Sequence, residues 1–434
     1  MHNQDWITRS RAALWHPCTQ MKHLEAEPPL PIARGEGPWL VDYDSRRYLD
    51  AISSWWVNLF GHAEPRINAA VIDQLGRIEH VILAGCTHGP VVELSERLAA
   101  LTGLGHAFYG SDGASATEIA LKMSFQYWRN VGRPEKTHFV SLANGYHGET
   151  LGALSVTDVA IFKETYAPLL RPSRQVMSPD ARQALPGETD GDVARRAARD
   201  LEACLQTHAA TTAALILEPL VQGAAGMAMY DPLYLTLARD LCDRYQVHLI
   251  ADEIAVGFGR TGTMFACEQA GIRPDFMCLS KGLTGGYLPL SCVLTTDEVY
   301  DSFYDDATAR GFLHSHSYTG NPLACRAALA VLDIFAQDDV IAVNRARAAR
   351  FTDMLAPVAA HGRVRHFRRR GMIWAFDVAD AAPGFAADFH RHALARGVLL
   401  RPIGASVYFM PPYVIGEAEM ALLVDVTLDL LGRR

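Results

Sequence analysis

The sequence has no C-x-x-C pair. Its eight cysteines are scattered from Cys18 to Cys325 with no tight framework. They read as buried or free thiols in a reducing compartment, not as a disulfide scaffold. No run approaches ~18 uninterrupted apolar residues, so no membrane span is expected. The opening MHNQDWITRS has no apolar segment of secretory type, and the expectation is a cytoplasmic protein. Basic residues are in deficit: 40 Lys and Arg stand against 48 Asp and Glu, for a formal net charge of -8. That argues against a general nucleic-acid binder, which carries a basic face. The one short basic run, Arg368-Arg369-Arg370, is expected to be a solvated strand entry. There is no internal repeat, no low-complexity tract and no expected metal-ligand set. A G-x-G-x-x-G after a strand, with an acidic residue about 20 positions on, is missing too, which counts against a non-catalytic nucleotide-binding module.

What is present is an ordinary globular composition, 49% hydrophobic and 20% charged, over 434 residues. That length exceeds one simple core and predicts a large domain with a smaller companion. Residues 1–62 are aromatic and proline-punctuated, and read as an extended arm followed by a short hairpin. WLVDYD and YLDAIS are its strands, with a turn at Ser45 and Arg46. Trp55 and Trp56 follow directly. On a strand their side chains would face opposite ways, one into the core and one lining something. Residues 63–335 alternate helical and strand-like stretches, which predicts a mostly parallel sheet with right-handed crossovers. Within them, 178–195 is polar and reads as an exposed excursion, and a helix is expected from Asn321-Pro322. Residues 336–434 read as a smaller α+β domain.

The chemistry collects at predicted strand ends. FMCL (276–279) runs into Ser280, Lys281 and Gly285-Gly286. An amine just past a buried strand is desolvated, which lowers its pKa and makes it a candidate Schiff-base nucleophile. VHLIA (247–251) ends at Asp252, on the expected carboxyl edge of the same sheet. Tyr146 lies in NGYHG (144–148) after another strand, where α/β sheets bind ligands. Gly110-Ser111-Asp112-Gly113 opens a helix, whose first amides and positive dipole end suit a phosphate. Each feature alone has a bland explanation. A lysine can simply leave the core, a small-residue loop can be a plain N-cap, and a tyrosine or tryptophan can merely pack. Together they match the demands of pyridoxal 5'-phosphate: an imine-forming lysine, a carboxylate for the ring nitrogen, an aromatic to stack and a phosphate loop.

Several stretches also resemble a known family. DEIAVGFGRTG (252–262), LSKGLTGG (279–286), NGYHG (144–148), LEPLVQGAAGM (217–227) and SYTGNPLA (317–324) are similar to the class III aminotransferases of fold type I. The similarity runs over most of the chain. It implies an α/β fold: a large pyridoxal-phosphate-binding domain with a mostly parallel seven-stranded sheet, plus the smaller α+β domain. WHPCTQM, SSWWVNLFGH and LLRPIGASVYFMPPYVI resemble the branch that serves biotin synthesis. That branch aminates 8-amino-7-oxononanoate with S-adenosylmethionine as donor, and the stretches set the chain apart from ornithine, 4-aminobutyrate and β-alanine relatives. Another ω-amino-acid transaminase of the class is the rival reading. Carried over by position, Lys281 would hold the cofactor and move the proton, Asp252 would pair with the ring nitrogen, and Tyr146 would stack on the ring. The amides of Gly113 and Ala114 would hold the phosphate, completed by Ser317 across a homodimer interface. Trp55, Trp56, Tyr146, Lys281, Gly320 and Arg401 would bind substrate, Arg401 offering a planar fork for a carboxylate. The chain departs from the usual pattern at four positions. Cys18 stands where tyrosine is frequent, Ala114 for serine, Ser317 for threonine and Glu149 for aspartate. An amide at 114 and a hydroxyl at 317 remain for the phosphate, while Cys18 exchanges a phenol for a weakly bonding thiol.

Overall fold

The structure, a computed structural model, describes residues 1–433. The chain divides into two compact units. The larger comprises Arg66–Ala346 with Arg368–Ile373; the smaller comprises Met1–Pro65, Arg347–Phe367 and the chain from Trp374 onward.

The larger unit is built on seven strands: β1 (His106–Gly110), β2 (His138–Leu142), β3 (Arg174–Val176), β4 (Thr212–Leu217), β5 (His248–Asp252), β6 (Phe276–Leu279) and β7 (Ser291–Thr295). Their order across the sheet is β1-β7-β6-β5-β4-β2-β3. The pairings β3-β2-β4-β5-β6 are parallel, and β7 alone runs antiparallel, between β6 and β1. The expected mostly parallel seven-stranded sheet is therefore found. Every residue of β4, β5, β6 and β7 is buried. Strands covered on both faces read as near-continuous apolar runs, which is why FMCL and VHLIA are legible.

Helix α1 (Gly113–Asn130) lies on this sheet. Its buried residues Ala116, Ile119, Ala120, Met123 and Tyr127 recur at three- and four-residue spacing. They pack against Ala214, Ile216, Ile250, Phe276 and Val293 in one core. Asp112 caps the helix, its carboxylate accepting the Ser115 amide at 2.8 Å. The packing fixes the helix's first turn at the end of β1; truncating Ile119 to Ala would cost about 2–5 kcal/mol. Pro322–Gln337 is a helix as expected, with Asn321 as cap accepting the Ala324 amide at 3.1 Å.

Two expectations hold only in part in this unit. Residues 183–187 of the expected excursion are exposed, but 178–180 are buried: Ser178 bonds Gln222, and Asp180 binds the Arg182 guanidinium. The basic run is not simply solvated either. Arg368 donates to the carbonyls of Met227 and Gly226, and Arg370 to that of Tyr230. Loop carbonyls in turns of this kind have no ladder partner, and a guanidinium supplies several donors at once.

In the smaller unit Ile32–Glu36, Trp39–Asp42 and Arg47–Asp50 form an antiparallel hairpin series, joined in parallel by Val398–Leu399. Ile373–Val378 pairs antiparallel with Ser406–Phe409. The arm is not wholly extended, since Asn3–Ala13 is a helix. Nor are Trp55 and Trp56 on a strand. Ser53 to Trp56 make a left-handed turn with φ of 51°, 46°, 73° and 72°. Left-handed backbone costs roughly 1–2 kcal/mol per residue. The turn is pinned by Asp50, which accepts the Ser54 amide and hydroxyl at 2.9 and 2.7 Å, and by Ser53 Oγ donating to the Met410 carbonyl. Among the described residues no helix is long and apolar enough to cross a membrane. All eight cysteines are free thiols.

Candidate active site

The carboxyl edge of the large sheet carries the acids and the amine. Ala251 pairs with Leu217 and Asp252 with Cys278, so Glu218, Asp252 and the turn after Leu279 follow one another along the edge. Lys281 opens that turn with a φ of 43°. A non-glycine residue in left-handed backbone is held there by its surroundings, and such strain gathers at functional sites. Burial lowers the Lys281 amine below the ordinary lysine range, with the negative Asp252 and Glu218 pulling the other way.

Asp252 is 4% exposed. One carboxylate oxygen accepts from His147 Nδ1 at 2.7 Å, the other from the Ile254 amide at 3.1 Å. His147 is itself buried, and its Nε2 has no hydrogen-bond partner. The imidazole's side-chain hydrogen bond is therefore to Asp252. Two further contacts tie the loop Asn144–Gly148 to α1. Thr117 Oγ donates to the His147 carbonyl at 2.8 Å, and Gly148 lies against Ala114. A side chain at Gly148, with φ +119°, would bring a Cβ 2.6 Å from that of Ala114, so only glycine fits. Tyr146 projects from this loop, half-buried, with its hydroxyl donating to Glu149 at 2.9 Å.

These residues fit pyridoxal phosphate. The amides of Gly113 and Ala114 belong to a first helical turn, which has no internal acceptors, and the cap Asp112 takes only the Ser115 amide. Two N–H groups at the positive end of an 18-residue helix suit a phosphate. A carboxylate already fixed by two donors suits a protonated ring nitrogen. A buried amine with lowered proton affinity suits an imine.

Glu218, which the sequence shows only within LEPLVQGAAGM, also stands at this edge. It is 5% exposed, and burial pushes it up to about 7, Asp252 adding to the rise. His147 was likewise quoted only within its motif. The signal available for both was position at a strand end beside a motif; their burial was invisible.

The remaining candidates lie elsewhere. Ser317 is exposed. Gly320 is buried with φ +62°; a Cβ there would meet Leu83 at 2.5 Å, and its carbonyl accepts from His88. Trp55, Trp56 and Arg401 belong to the smaller unit. Trp56 is core, its indole donating to the Tyr408 hydroxyl at 3.1 Å. Trp55 is exposed, with the Arg401 guanidinium 5.1 Å from its ring centre. Arg401 is exposed too, although it stands in an apolar run.

Known proteins carry the same architecture. The family model Aminotransferase class-III matches residues 21–431. An adenosylmethionine-8-amino-7-oxononanoate aminotransferase of Helicobacter pylori is 43% identical, over 96% of this chain and 95% of its own. A solved structure of the enzyme so named from Methanocaldococcus jannaschii superposes with a TM-score of 0.92 at 35% identity, covering 99% of this chain and 98% of that one. An amine transaminase from an uncultivated Pseudomonas, solved in its PLP-bound form, gives 0.92 at 33% identity, covering 97% and 98%.

Proposed function

The chain belongs to the class III aminotransferases, and from that premise we propose that it aminates 8-amino-7-oxononanoate to 7,8-diaminononanoate, with pyridoxal 5'-phosphate as cofactor and S-adenosylmethionine as donor. The observation that carries the reading is the row of Glu218, Asp252 and Lys281 along one sheet edge, with the first turn of α1 tied to it through the loop Asn144–Gly148.

When bound, the cofactor supplies a protonated ring that draws electron density from the substrate carbon losing its proton. The chain does the rest. Lys281 Nζ would hold the cofactor and would move the substrate's proton, as base and then as acid. Burial suits it to both roles, because it keeps the amine's proton affinity below that of a free lysine. Asp252 would pair with the ring nitrogen, and the His147 Nδ1–H aims its carboxylate. Tyr146 would cover one ring face, and the amides of Gly113 and Ala114 would bind the phosphate, with Ser317 reaching in from a second subunit. The pair of half-reactions is ping-pong: the donor leaves its amine in the site before the keto acid enters.

For the keto acid, a long thin substrate, Trp55 offers an exposed apolar face and Arg401 a cation beside it. The identity to enzymes named for this substrate, extending over nearly the whole chain, supports the same assignment. A cytoplasmic homodimer with shared sites completes the reading. The likeness to an amine transaminase at 33% identity favours a second reading, a broader ω-amine transaminase.

The test is a donor panel with 8-amino-7-oxononanoate held constant and diaminononanoate measured. Product with S-adenosylmethionine supports the assignment. Product with simple amines and none with S-adenosylmethionine moves the protein to the second reading.

A further inference from the structure

Glu218 lies one strand from Asp252, follows β4 directly and faces no solvent. Both of its carboxylate oxygens are committed to backbone amides. Oε2 accepts from Tyr146 at 3.0 Å and Oε1 from Gly223 at 2.9 Å. Its own carbonyl accepts from the Tyr230 hydroxyl at 2.6 Å. The carboxylate is thus a clamp between the loop carrying Tyr146 and the turn after β4. Two amide donors call for two acceptor oxygens, which a carboxylate offers and a neutral side-chain amide does not. Its charge also reaches its neighbours. The titratable groups facing Glu218 are His147 on the Tyr146 loop, Tyr230 on the segment after the turn that follows β4, Asp252 at the end of β5 and Lys281 on the turn after β6. Two carboxylates on the edge bear on one amine.

We infer that Glu218 is a positioning residue for the reaction: its carboxylate holds the Tyr146 loop in place through the backbone and, by its charge, sets how readily Lys281 releases a proton. This rests on the assignment of Lys281 as the cofactor-holding amine. Burial lowers the proton affinity of Lys281, while Asp252 and, in its ionised form, Glu218 raise it. An amine whose proton affinity lies below that of a free lysine can act as base and then as acid. Without Glu218 the burial effect would dominate, and Lys281 would pass on its proton too easily to return it.

The test compares Glu218→Gln, which removes the charge and turns one acceptor into a donor, with Glu218→Asp, which keeps the charge but cannot span both amides. Two midpoints are read. One is the pH midpoint of the bound cofactor's visible band in the holoenzyme. The other is the pH midpoint for cyanate labelling of Lys281 in the full chain stripped of cofactor, followed by peptide mass spectrometry. Removal of a nearby opposite charge should lower both by about one pH unit in Glu218→Gln. Glu218→Asp should keep both within about 0.3 units of wild type, while its turnover falls through the loosened Tyr146 loop. Unmoved midpoints in Glu218→Gln, whatever happens to activity, would reduce Glu218 to a structural clamp. If Glu218→Gln fails to fold, a full-unit fall in Glu218→Asp overturns the charge role and retained midpoints support it. A wild-type protein with no visible band would sink the cofactor assignment instead, and the labelling midpoint would still decide the role of Glu218.

Discussion

Asp252 and His147 make a two-part prediction whose size follows from their geometry. Asp252→Asn keeps the shape of the side chain and removes its charge. At about 4 Å and an effective dielectric near 20, a unit pair is worth about 4 kcal/mol. The amide oxygen still offers a dipole, so the loss should be about 2–4 kcal/mol of barrier, or roughly 30- to 1,000-fold in kcat/KM. His147→Phe removes only the donor to Asp252. The His147–Asp252 bond is short, 2.7 Å, and wholly buried. Its loss should cost about 1.5–3 kcal/mol, or roughly 10- to 150-fold. His147 Nε2 has no partner, so its side-chain hydrogen bond goes to Asp252, with a smaller electrostatic effect on Glu218. Once Asp252 is neutral there is little left for His147 to aim. The double variant should therefore match Asp252→Asn to within about 0.5 kcal/mol. Steady-state kinetics of the four proteins, with cofactor saturating, make the measurement. Fully additive losses would mean that His147 serves the reaction by another route. Near-native kcat in Asp252→Asn would mean that another group holds the ring nitrogen.

Lys281→Ala should abolish turnover, since neither the attachment nor the proton transfer has a substitute; multiple turnovers by the pure variant without added amine would refute this. Arg401→Ala should raise KM for the keto acid more than it lowers kcat, because a contact remote from the chemistry is made in both ground and transition states. Loss of a charge-assisted pair should cost about 1.5–3 kcal/mol, roughly 10- to 150-fold in kcat/KM, and Arg401→Lys should recover part. Half-reaction kinetics check the assignment, and equal slowing of the donor half would make Arg401 a shared anchor. Gly148→Ala forces a Cβ to 2.6 Å from Ala114 with φ at +119°, a strain of about 1–3 kcal/mol. It should weaken cofactor retention measured by titration of the visible band, and unaltered affinity would detach this loop from the phosphate site. Sedimentation should show a dimer as the active species; a fully active monomer would refute the shared site drawn through Ser317.

What was readable in the sequence was local. FMCL and VHLIA announce buried strands because a strand covered on both faces must be apolar throughout. A small-residue loop before Ile119 and Met123 announces a capped helix with one buried stripe. The chemistry-bearing residues Lys281, Asp252 and Tyr146 were found because each closely follows such a strand, so their neighbourhood needed no long-range knowledge. Period and punctuation encode burial of a segment and where it stops, and that suffices for a parallel sheet and for which residues stand at its ends.

Tertiary structure decided everything that depends on partners distant in the chain. His147 meets Asp252 across 105 positions, and Tyr146 meets Glu218 across 72. No local pattern marks either contact. Glu218 reads as a polar residue beside a proline, and only enclosure by other elements gives its carboxyl a proton affinity near neutrality. Trp55 and Trp56 look alike in sequence, yet a left-handed turn pinned by Asp50 and by the Met410 carbonyl buries one and exposes the other beside Arg401. Arg368 and Arg370 look like surface charge until loop carbonyls from residues 226–230 close around them. In each case the deciding quantity is an environment, the dielectric and the set of donors around one group. An environment is assembled from several segments at once, so it exists only when the chain is folded.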